Sequence, residues 1–456
     1  MDKMEVVGGR PLKGRVRASG AKNAALPLMA AAILADSPMR LRNVPELVDV
    51  RTMAALLGKL GVRVERQAGG DLVLEVADEG PVWAPYEIMK TMRAGICVLG
   101  PLMAKRRRAC VSLPGGCIIG DRPVNIHLRG LAALGADIRV EHGYILGAAA
   151  GQVGPVEMTR RGPVFHRPRP DGDGPRLRGA EMYLGGPFGS TVTGTENILM
   201  AASLAEGRTI IDCAACEPEV QELAHVLRAM GARIEGIGSP RLQVEGVRRL
   251  RGVEHTIIPD RIESGTYLVA AAATGGDVTV EGARWDHLFA VVSLLQEIGA
   301  EVERTEGGIR VRSSGRLAAA DVTTLPFPGF PTDLQAQMMA CLARGDGNSI
   351  FIEKIYPDRF MHVAELGRMG ADIRKEGNVA LVHGVERLSG AEVMASDLRA
   401  SAALVVAGLV AEGKTTIRRI YHLDRGYERL ETKLAALGAD VHRLADVQRP
   451  KDGEEP

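Results

Sequence analysis

Hydrophobic and polar positions follow a pattern that recurs six times along the chain. In each copy, apolar residues return three and four positions apart, as in ELVDVRTMAALLGKL, and this spacing predicts an amphipathic helix. A short phrase follows, whose glycine is placed to end the helix and whose last residues predict a strand. The six phrases are LGVRV from Leu60, LGADI from Leu134, MGARI from Met230, IGAEV from Ile298, MGADI from Met369 and LGADV from Leu437.

A second pattern lies upstream of each phrase. A stretch of small apolar residues, predicted to be helical, ends at a polar or glycine turn, and a short strand follows it. Clear copies are AAAILADSPMRLRNV, AASLAEGRTIIDCA, AAAATGGDVTVEGA and AALVVAGLVAEGKTTIRRI. Each repeat is therefore predicted to contain two helices and several strands, with most repeats roughly 70 residues apart.

Six repeats predict an α/β protein of two domains with three repeats each, because 456 residues are too many for one ordinary core. The boundary is predicted near GVEHTIIPDRIESGT, and the first strand could join either domain.

The interval from Gly135 to Gly231 is longer than the others and includes AGQVGPVEMTRRGPVFHRPRPDGDGPRL. Its Pro, Gly and Arg content predicts an exposed insertion at about 150–175, with a nucleic-acid-binding arm as the alternative. Residues 445–456 are predicted to form a flexible tail.

Composition is that of a globular protein, with 46% apolar and 25% charged residues. A formal net charge of +1 gives no overall attraction to nucleic acid, and 4% aromatic residues argue against a base-stacking surface. The longest apolar stretches are too short to span a bilayer, so no membrane insertion is expected. The first ten residues carry no apolar signal region, and six scattered cysteines are typical of cytoplasmic thiols.

Cys117 lies in the stretch SLPGGCIIGDRPVNIH, directly after two glycines and before an Arg-Pro pair. Glycines make the backbone permissive and oppose its ordering. Two interpretations are open: a buried cysteine beside a tight turn, or a reactive thiol on a mobile loop over a binding cleft.

Several charged residues lie where a turn enters a predicted helix. Lys22 and Asn23 are placed at a helix start, which suits an anion, although sequence alone favours a solvated lysine. Lys90 and Arg93 are three positions apart on a predicted helix face, where they could bind phosphate or form a polar surface. Asp333 follows a Pro-rich turn, where an aspartate usually caps a helix. Three arginines, suited to phosphate or carboxylate by their planar fork, lie at related places in different repeats: Arg359, Arg399 and Arg425.

Two motifs are predicted to be accidental. GLVAEGKT, from Gly408, fits the P-loop pattern, but a predicted helix precedes it and a predicted strand follows, which reverses the P-loop order. CAAC, from Cys213 to Cys216, resembles a redox or zinc half-site, but no second pair is spaced to complete a zinc site. Both thiols are predicted to pack, and no metal or organic cofactor is expected.

Ten motifs taken together resemble the UDP-N-acetylglucosamine 1-carboxyvinyltransferases of the enolpyruvyl transferase family, from about residue 5 to about residue 444. They are SGAKNAALPL, KTMRAGI, LPGGCIIGDRPVNIHLRGLAALGA, TVTGTENILMAA, EPEVQELA, PDRIESGTYLVAAA, FPTDLQAQ, DRFMHVAELGRMGA, SDLRASAALVVAGL and YHLDRGYERLETKLAALGA.

The resemblance implies a two-domain inside-out α/β barrel, in which each repeat has two helices and a four-stranded sheet. Residues 22–257 would form the N-terminal domain, and residues 1–21 would join 258–444 in the C-terminal domain, with the active site in the cleft. The implied reaction moves the enolpyruvyl group of phosphoenolpyruvate to the 3-hydroxyl of UDP-N-acetylglucosamine and releases phosphate. It is the committed step of peptidoglycan precursor synthesis, carried out by a cytoplasmic enzyme expected to be a monomer.

The same resemblance implies roles at matching motif positions. Cys117 would be the general acid and could form a thiol adduct with phosphoenolpyruvate, while Asp333 would orient the sugar hydroxyl and accept its proton. The charges of phosphoenolpyruvate would be held by Lys22, Asn23, Arg122 and Arg425. The sugar nucleotide would be bound by Arg93, Arg122, Pro123, Val124, Asn125, Ile126 and Ile355. Supporting contacts would come from Arg359, Asp397 and Arg399.

Other functions stay open at this point. Enolpyruvylshikimate-phosphate synthase shares the implied fold and reaction type, although Cys117 and SGAKNAALPL argue against it. A P-loop nucleotide hydrolase would rest on GLVAEGKT alone, and a non-catalytic paralogue would have to keep Lys22, Cys117, Asp333 and Arg425 without turnover. Many family members carry a Lys-x-Ser-Val-Gly segment that contacts the nucleotide. Here Thr191–Thr193 align only loosely with it, and the lysine has no counterpart.

Overall fold

A computed structural model describes residues 2–115, 124–149, 151–159, 162–166, 176–314 and 316–445. The chain divides into two compact units, which are named here the first unit (Ser19–Ile258) and the second unit (residues up to Ala18 and from Pro259 onward).

Strands β1 (Lys3–Val7) and β2 (Lys13–Arg17) open the chain and belong to the second unit. The strands of the first unit are β3 (Met39–Arg42), β4 (Val62–Arg66), β5 (Leu72–Val76), β6 (Trp83–Ala84), β7 (Arg108–Ser112), β8 (Asp137–Glu141), β9 (Tyr144–Ala148), β10 (Val156–Thr159), β11 (Gly162–Phe165), β12 (Glu181–Tyr183), β13 (Arg208–Asp212), β14 (Arg233–Glu235), β15 (Arg241–Glu245) and β16 (Glu254–Thr256). Its helices are α1 (Lys22–Ala31), α2 (Val48–Lys59), α3 (Tyr86–Met89), α4 (Leu99–Pro101), α5 (Asn125–Ala133), α6 (Val192–Ala202) and α7 (Pro218–Met230). Short 3₁₀ or π turns cover Ala32–Leu34, Arg93–Val98 and Leu102–Arg106.

The second unit resumes after Ile258. Its remaining strands are β17 (Asp277–Glu281), β18 (Glu301–Thr305), β19 (Gly308–Arg312), β20 (Val322–Thr323), β21 (Asn348–Ile352), β22 (Asp372–Glu376), β23 (Val379–His383), β24 (Glu392–Met394), β25 (Lys414–Arg418) and β26 (Asp440–Leu444). Its helices are α8 (Arg261–Ala273), α9 (Trp285–Glu297), α10 (Thr332–Leu342), α11 (His362–Arg368), α12 (Leu398–Val410) and α13 (Leu430–Ala436), and a 3₁₀ turn covers Ile420–Arg425.

Within the described ranges, each unit contains three four-stranded sheets of one design. In every sheet a short parallel edge strand is followed by two antiparallel pairings. In the first unit the orders are β16-β3-β5-β4, β6-β7-β9-β8 and β12-β13-β15-β14. In the second unit they are β2-β17-β19-β18, β20-β21-β23-β22 and β24-β25-β1-β26. One supersecondary unit is therefore repeated, as the sequence pattern predicted.

The predicted helix ends are confirmed at each of the six phrase glycines. Each has a positive φ that L-residues rarely adopt and that costs glycine little: Gly61 (75°), Gly135 (86°), Gly231 (118°), Gly299 (97°), Gly370 (92°) and Gly438 (92°). A helix ends just before each glycine, and a strand starts within two residues after it.

Helices buried on all sides occupy the interior of each unit. In the second unit α8, α10 and α12 pack on one another, and nearly every residue of the three is buried. In the first unit α1 and α6 pack with each other and with the 3₁₀ turn Arg93–Val98. Helices hydrophobic all round must be buried, and the sheets cover them with strands in which buried residues alternate with mostly half-buried ones. The predicted α/β fold with helices inside is confirmed.

The predicted insertion is partly packed, which corrects the expectation of an exposed loop. Its strands β10 and β11 pair as an antiparallel hairpin, and Val153 just before them is 1% exposed. Val153 joins a small core with Cys110 and Leu146 of the neighbouring sheet, and the Arg108 guanidinium lies 4.5 Å from the centre of the Phe165 ring. Composition alone missed this, because a few apolar side chains suffice to cover one sheet face.

The P-loop interpretation is excluded by the order of elements. GLVAEGKT begins in α12 and runs into β25, so a helix precedes the glycine turn and a strand follows it. A phosphate-binding P-loop needs the opposite order. Cys213 and Cys216 are both free and partly buried. No helix in the described part of the chain is both long and apolar enough to cross a membrane.

Candidate active site

Asp333 lies in the first turn of α10 between two arginines. The helix is not capped by this side chain, since Pro331 holds the cap position. Its Oδ1 accepts a hydrogen bond from Arg359 Nη1 at 2.7 Å, and its Oδ2 accepts from Arg399 Nη2 at 2.9 Å and Nε at 3.1 Å. The sequence placed all three residues near helix starts, and the structure brings them together in a group named here the Asp333 clamp.

The clamp fixes the charge of its members. Arg359 and Arg399 are only 6% and 2% exposed, and burial by itself would raise the pKa of Asp333. The attraction of Arg399 and Arg359 outweighs burial and holds the pKa of the Asp333 carboxyl well below its usual range. Although burial opposes it, the Asp333 carboxylate raises the pKa of both guanidinium groups in return. The result is a preformed anion between two fixed cations.

Arg399 is held from both ends. Asp397 caps α12, and its Oδ1 accepts from the backbone N–H groups of Arg399 at 2.8 Å and Ala400 at 3.1 Å. The guanidinium carbon lies 5.4 Å from the centre of the Tyr427 ring. Among the described residues, the buried Nη1 of Arg399 has no hydrogen-bond partner.

Glu353, which the sequence analysis missed, supports the clamp from below. It follows β21 and is fully buried. Its Oε1 accepts from Thr324 Oγ1 at 2.7 Å and from the backbone N–H groups of Ile355 at 2.8 Å and Tyr356 at 2.9 Å. Its Oε2 accepts from Thr332 Oγ1 at 2.9 Å. The turn that carries the predicted ligand residue Ile355 is thereby fixed. A polar residue directly after the apolar strand was the only available sequence signal.

Lys22, the first residue of α1, is 8% exposed, so the solvated lysine that sequence alone favoured is wrong. Its Nζ donates to Asp49 Oδ2 at 3.1 Å, and Asp49 lies in the first turn of α2. Asn23 follows it and is half-buried. The ion pair of Lys22 and Asp49 thus places a cation with a fixed counter-ion at a helix start of the first unit.

The other predicted ligand residues are placed as follows. Lys90 and Arg93 do not share a helix, because α3 ends at Met89 and a separate 3₁₀ turn begins at Arg93. Val124 is the cap residue of α5, which begins with Asn125 and Ile126. Arg425 ends the turn Ile420–Arg425 and is half-buried. Cys117, Arg122 and Pro123 lie outside the described residues. Nowhere in the described ranges are three His, Cys, Asp or Glu side chains grouped so as to hold a metal ion.

The threonines that align loosely with the Lys-x-Ser-Val-Gly segment lie at the start of α6. Thr191 caps this helix, since its Oγ1 accepts from Gly194 N at 3.2 Å. Thr193 Oγ1 lies 3.3 Å from Nε2 of the buried His127, whose Nδ1 lies 2.9 Å from Asn197 Nδ2. Asn197 Oδ1 accepts from Gly100 N and its Nδ2 donates to Ile96 O, which fixes the amide orientation. His127 Nδ1 therefore accepts a hydrogen bond from Asn197 Nδ2, and in the neutral imidazole the ring hydrogen is on Nε2.

Comparison with known proteins agrees with this fold and these motifs. The family model described as EPSP synthase (3-phosphoshikimate 1-carboxyvinyltransferase) matches residues 6–163 and 170–434. Among solved structures, the enolpyruvyl transferase NikO from Streptomyces tendae superposes with a TM-score of 0.82 at 22% identity, over 97% of this chain and 99% of that chain. An EPSP synthase from Acinetobacter baumannii superposes with a TM-score of 0.72 at 18% identity, over 98% of this chain and 100% of that chain. The fold is thus that of the enolpyruvyl transferases, and the predicted fold class is confirmed.

Curated relatives narrow the comparison. A UDP-N-acetylglucosamine 1-carboxyvinyltransferase from Anaeromyxobacter sp. (strain Fw109-5) is 53% identical over 445 residues, covering 97% of this chain and 99% of the relative. One from Anaeromyxobacter dehalogenans (strain 2CP-C) is 52% identical over 446 residues, covering 97% of this chain and 100% of the relative. The chain belongs to the EPSP synthase family of carboxyvinyltransferases, and it is a transferase. The resemblance indicated by the sequence motifs is confirmed.

Proposed function

We propose that the chain transfers the enolpyruvyl group of phosphoenolpyruvate to the 3-hydroxyl of UDP-N-acetylglucosamine and releases phosphate, in the first committed step of peptidoglycan precursor synthesis. The observation that carries the proposal is the identity of 53% with a relative of that name, at nearly full length on both sides. The Asp333 clamp supports it, because the reaction needs a carboxylate that takes a hydroxyl proton beside fixed cations.

The reaction has two demands that the residues would meet. Protonation of the methylene carbon of phosphoenolpyruvate develops positive charge at C2, and we assign this proton to Cys117. The sugar hydroxyl then attacks C2, and Asp333 would orient it and accept its proton. In the elimination that follows, the new methyl carbon would return one proton to the Cys117 thiolate as phosphate leaves, which restores the carbon–carbon double bond. The other residues would bind and orient the substrates. For phosphoenolpyruvate these are Lys22, Asn23, Arg122 and Arg425; for the sugar nucleotide they are Arg93, Arg122, Pro123, Val124, Asn125, Ile126 and Ile355. Arg359, Asp397 and Arg399 would support them.

The clamp as it stands makes Asp333 a weak base, because both carboxylate oxygens accept hydrogen bonds from guanidinium groups. A ligand anion that drew one arginine away would make Asp333 a stronger base. The proposal therefore places substrate binding before proton transfer.

Phosphate release from phosphoenolpyruvate tests the proposal. We expect release in the presence of UDP-N-acetylglucosamine and none with shikimate 3-phosphate in its place. Asp333→Asn should lower kcat by about 100-fold or more, the usual effect of losing a general base. The exposed Asp346 gives a matched control, and Asp346→Asn should turn over like the parent. Equal turnover with shikimate 3-phosphate would contradict the substrate assignment.

We also propose that the enzyme acts in the cytoplasm as a monomer. Five cysteines in the described ranges are free thiols, and free thiols are typical of reducing compartments. Sedimentation at several concentrations would show the oligomeric state.

A further inference from the structure

The hydrogen bonds around Glu353 have a fixed direction. Its carboxylate only accepts, and in the described part of the chain no cationic side chain pairs with it. Thr332 has a single hydroxyl hydrogen, which points to Glu353 Oε2. The lone pairs of Thr332 Oγ1 are therefore turned toward Arg359, whose Nη1 donates to this oxygen at 3.0 Å.

The same Arg359 nitrogen also donates to Asp333 Oδ1 at 2.7 Å. The contacts form one chain, from the Glu353 carboxylate through the Thr332 hydroxyl and the Arg359 guanidinium to Asp333. Glu353 and Arg359 are buried, at 0% and 6% exposed, whereas Thr332 and Asp333 are half-buried. In a low-dielectric interior, hydrogen bonds in such a chain orient and strengthen one another.

A carboxylate buried without a cationic partner loses its hydration, and its hydrogen bonds must offset that cost in free energy. Holding the turn Glu353–Tyr356 uses only Oε1. Oε2 serves Thr332, a residue of the helix that carries Asp333. Because Oε2 accepts no hydrogen bond from the turn, its hydrogen bond with Thr332 indicates a role of Glu353 in the site.

We infer that Glu353 is a positioning residue for Asp333, acting through the orientation of Thr332 and Arg359. The inference rests on the proposed role of Asp333 as the base. Glu353 touches no substrate in this scheme. It fixes the guanidinium plane against which the Asp333 carboxylate is aligned, so it should affect the chemical step more than substrate binding.

The test compares three substitutions at two threonines that bind opposite oxygens of Glu353. Thr332→Val removes the hydroxyl that links Glu353 to Arg359 and should lower kcat about tenfold while the KM for UDP-N-acetylglucosamine changes less than twofold. That size corresponds to the loss of one buried hydrogen bond. Thr332→Ser keeps the hydroxyl and should restore most of kcat. Thr324→Val makes the same chemical change at Oε1 and should lower the melting temperature with less effect on kcat.

A double-mutant cycle completes the test. Glu353→Gln converts an acceptor into an amide and should lower kcat to a similar extent, and combining it with Thr332→Val should add little, because both break one chain. Multiplying effects, parental kcat in Thr332→Val, or an equal loss of kcat in Thr324→Val would each overturn the inference. Asp333→Asn tells this failure from failure of the proposed function. If it is inactive while Thr332→Val is normal, only the positioning role is wrong. If it is fully active, the role of Asp333 as base is wrong, and the inference with it.

Discussion

At the scale of residues, distance along the chain hides the interactions that matter. Asp333 is 26 positions from Arg359 and 66 from Arg399, yet both guanidinium groups lie on its carboxylate. Residue type and position near helix starts indicated that each could bind an anion. Only the packing of α10 against α12 shows that, in this state, their anion is Asp333.

His362 gives a prediction about pH at the same scale. It is 2% exposed on α11, and burial, opposed by Asp397 and assisted by Arg359, lowers its pKa to about 4. The unfolded chain binds a proton near pH 6.5 and the folded chain does not, so stability should fall as pH drops from about 6.5 to about 4. The largest loss from this residue is about 3 kcal/mol, from 1.36 kcal/mol per pKa unit.

Urea unfolding of His362→Gln between pH 4 and pH 7 measures this effect. We expect a shallower decline of the midpoint toward acid than in the parent. His225 is exposed on α7, and His225→Gln should leave the pH dependence as it was. Parallel curves for parent and His362→Gln would show that His362 does not titrate on unfolding.

At the scale of elements, the inserted hairpin contributes to stability. Val153 is 1% exposed in the core beneath β10 and β11, whereas Val164 on β11 is 44% exposed. Val153→Asp buries a carboxylate and should cost about 3 kcal/mol, while Val164→Asp should stay within about 0.5 kcal/mol. Thermal unfolding of the two variants makes the comparison. Equal melting temperatures would show that the hairpin does not contribute to stability. Deletion of residues 152–174 should then leave the melting temperature unchanged.

At the scale of the whole molecule, the two units differ in how the chain closes them. The first unit is continuous, because β16 near its end returns to pair with β3 near its start. The second unit needs the first residues of the chain, since β1 lies between β25 and β26 and β2 pairs with β17. A fragment of residues 19–258 should therefore fold alone, and a fragment of residues 259–445 should not.

A permuted fragment checks the reason for this difference. Lys3 lies opposite Leu444 in the antiparallel pair of β1 and β26, so a short hairpin linker can join residue 445 to residue 2. The chain 259–445, linker, 2–18 should regain cooperative unfolding by circular dichroism. Folding of 259–445 without β1 and β2, or no recovery in the permuted chain, would contradict this account.

The sequence by itself determined the repeated unit and the family. Helix period, the positive-φ glycine and the strand after it are local features, because each depends on residues within one or two turns of one another. Six copies of this local signal predicted the amphipathic helices, their ends and the following strands, and the ten motifs identified the family.

Tertiary structure alone decided what depends on residues far apart in the chain. Four features join segments that no periodicity connects. They are the pairing of β16 with β3, the burial of Lys22 against Asp49, the packing of Val153 and the link from Glu353 to Asp333. The same residue types would be exposed or unpaired if the chain closed differently. The pKa values of the charged groups depend on burial and on the partner that the fold supplies, and the local sequence pattern predicts neither.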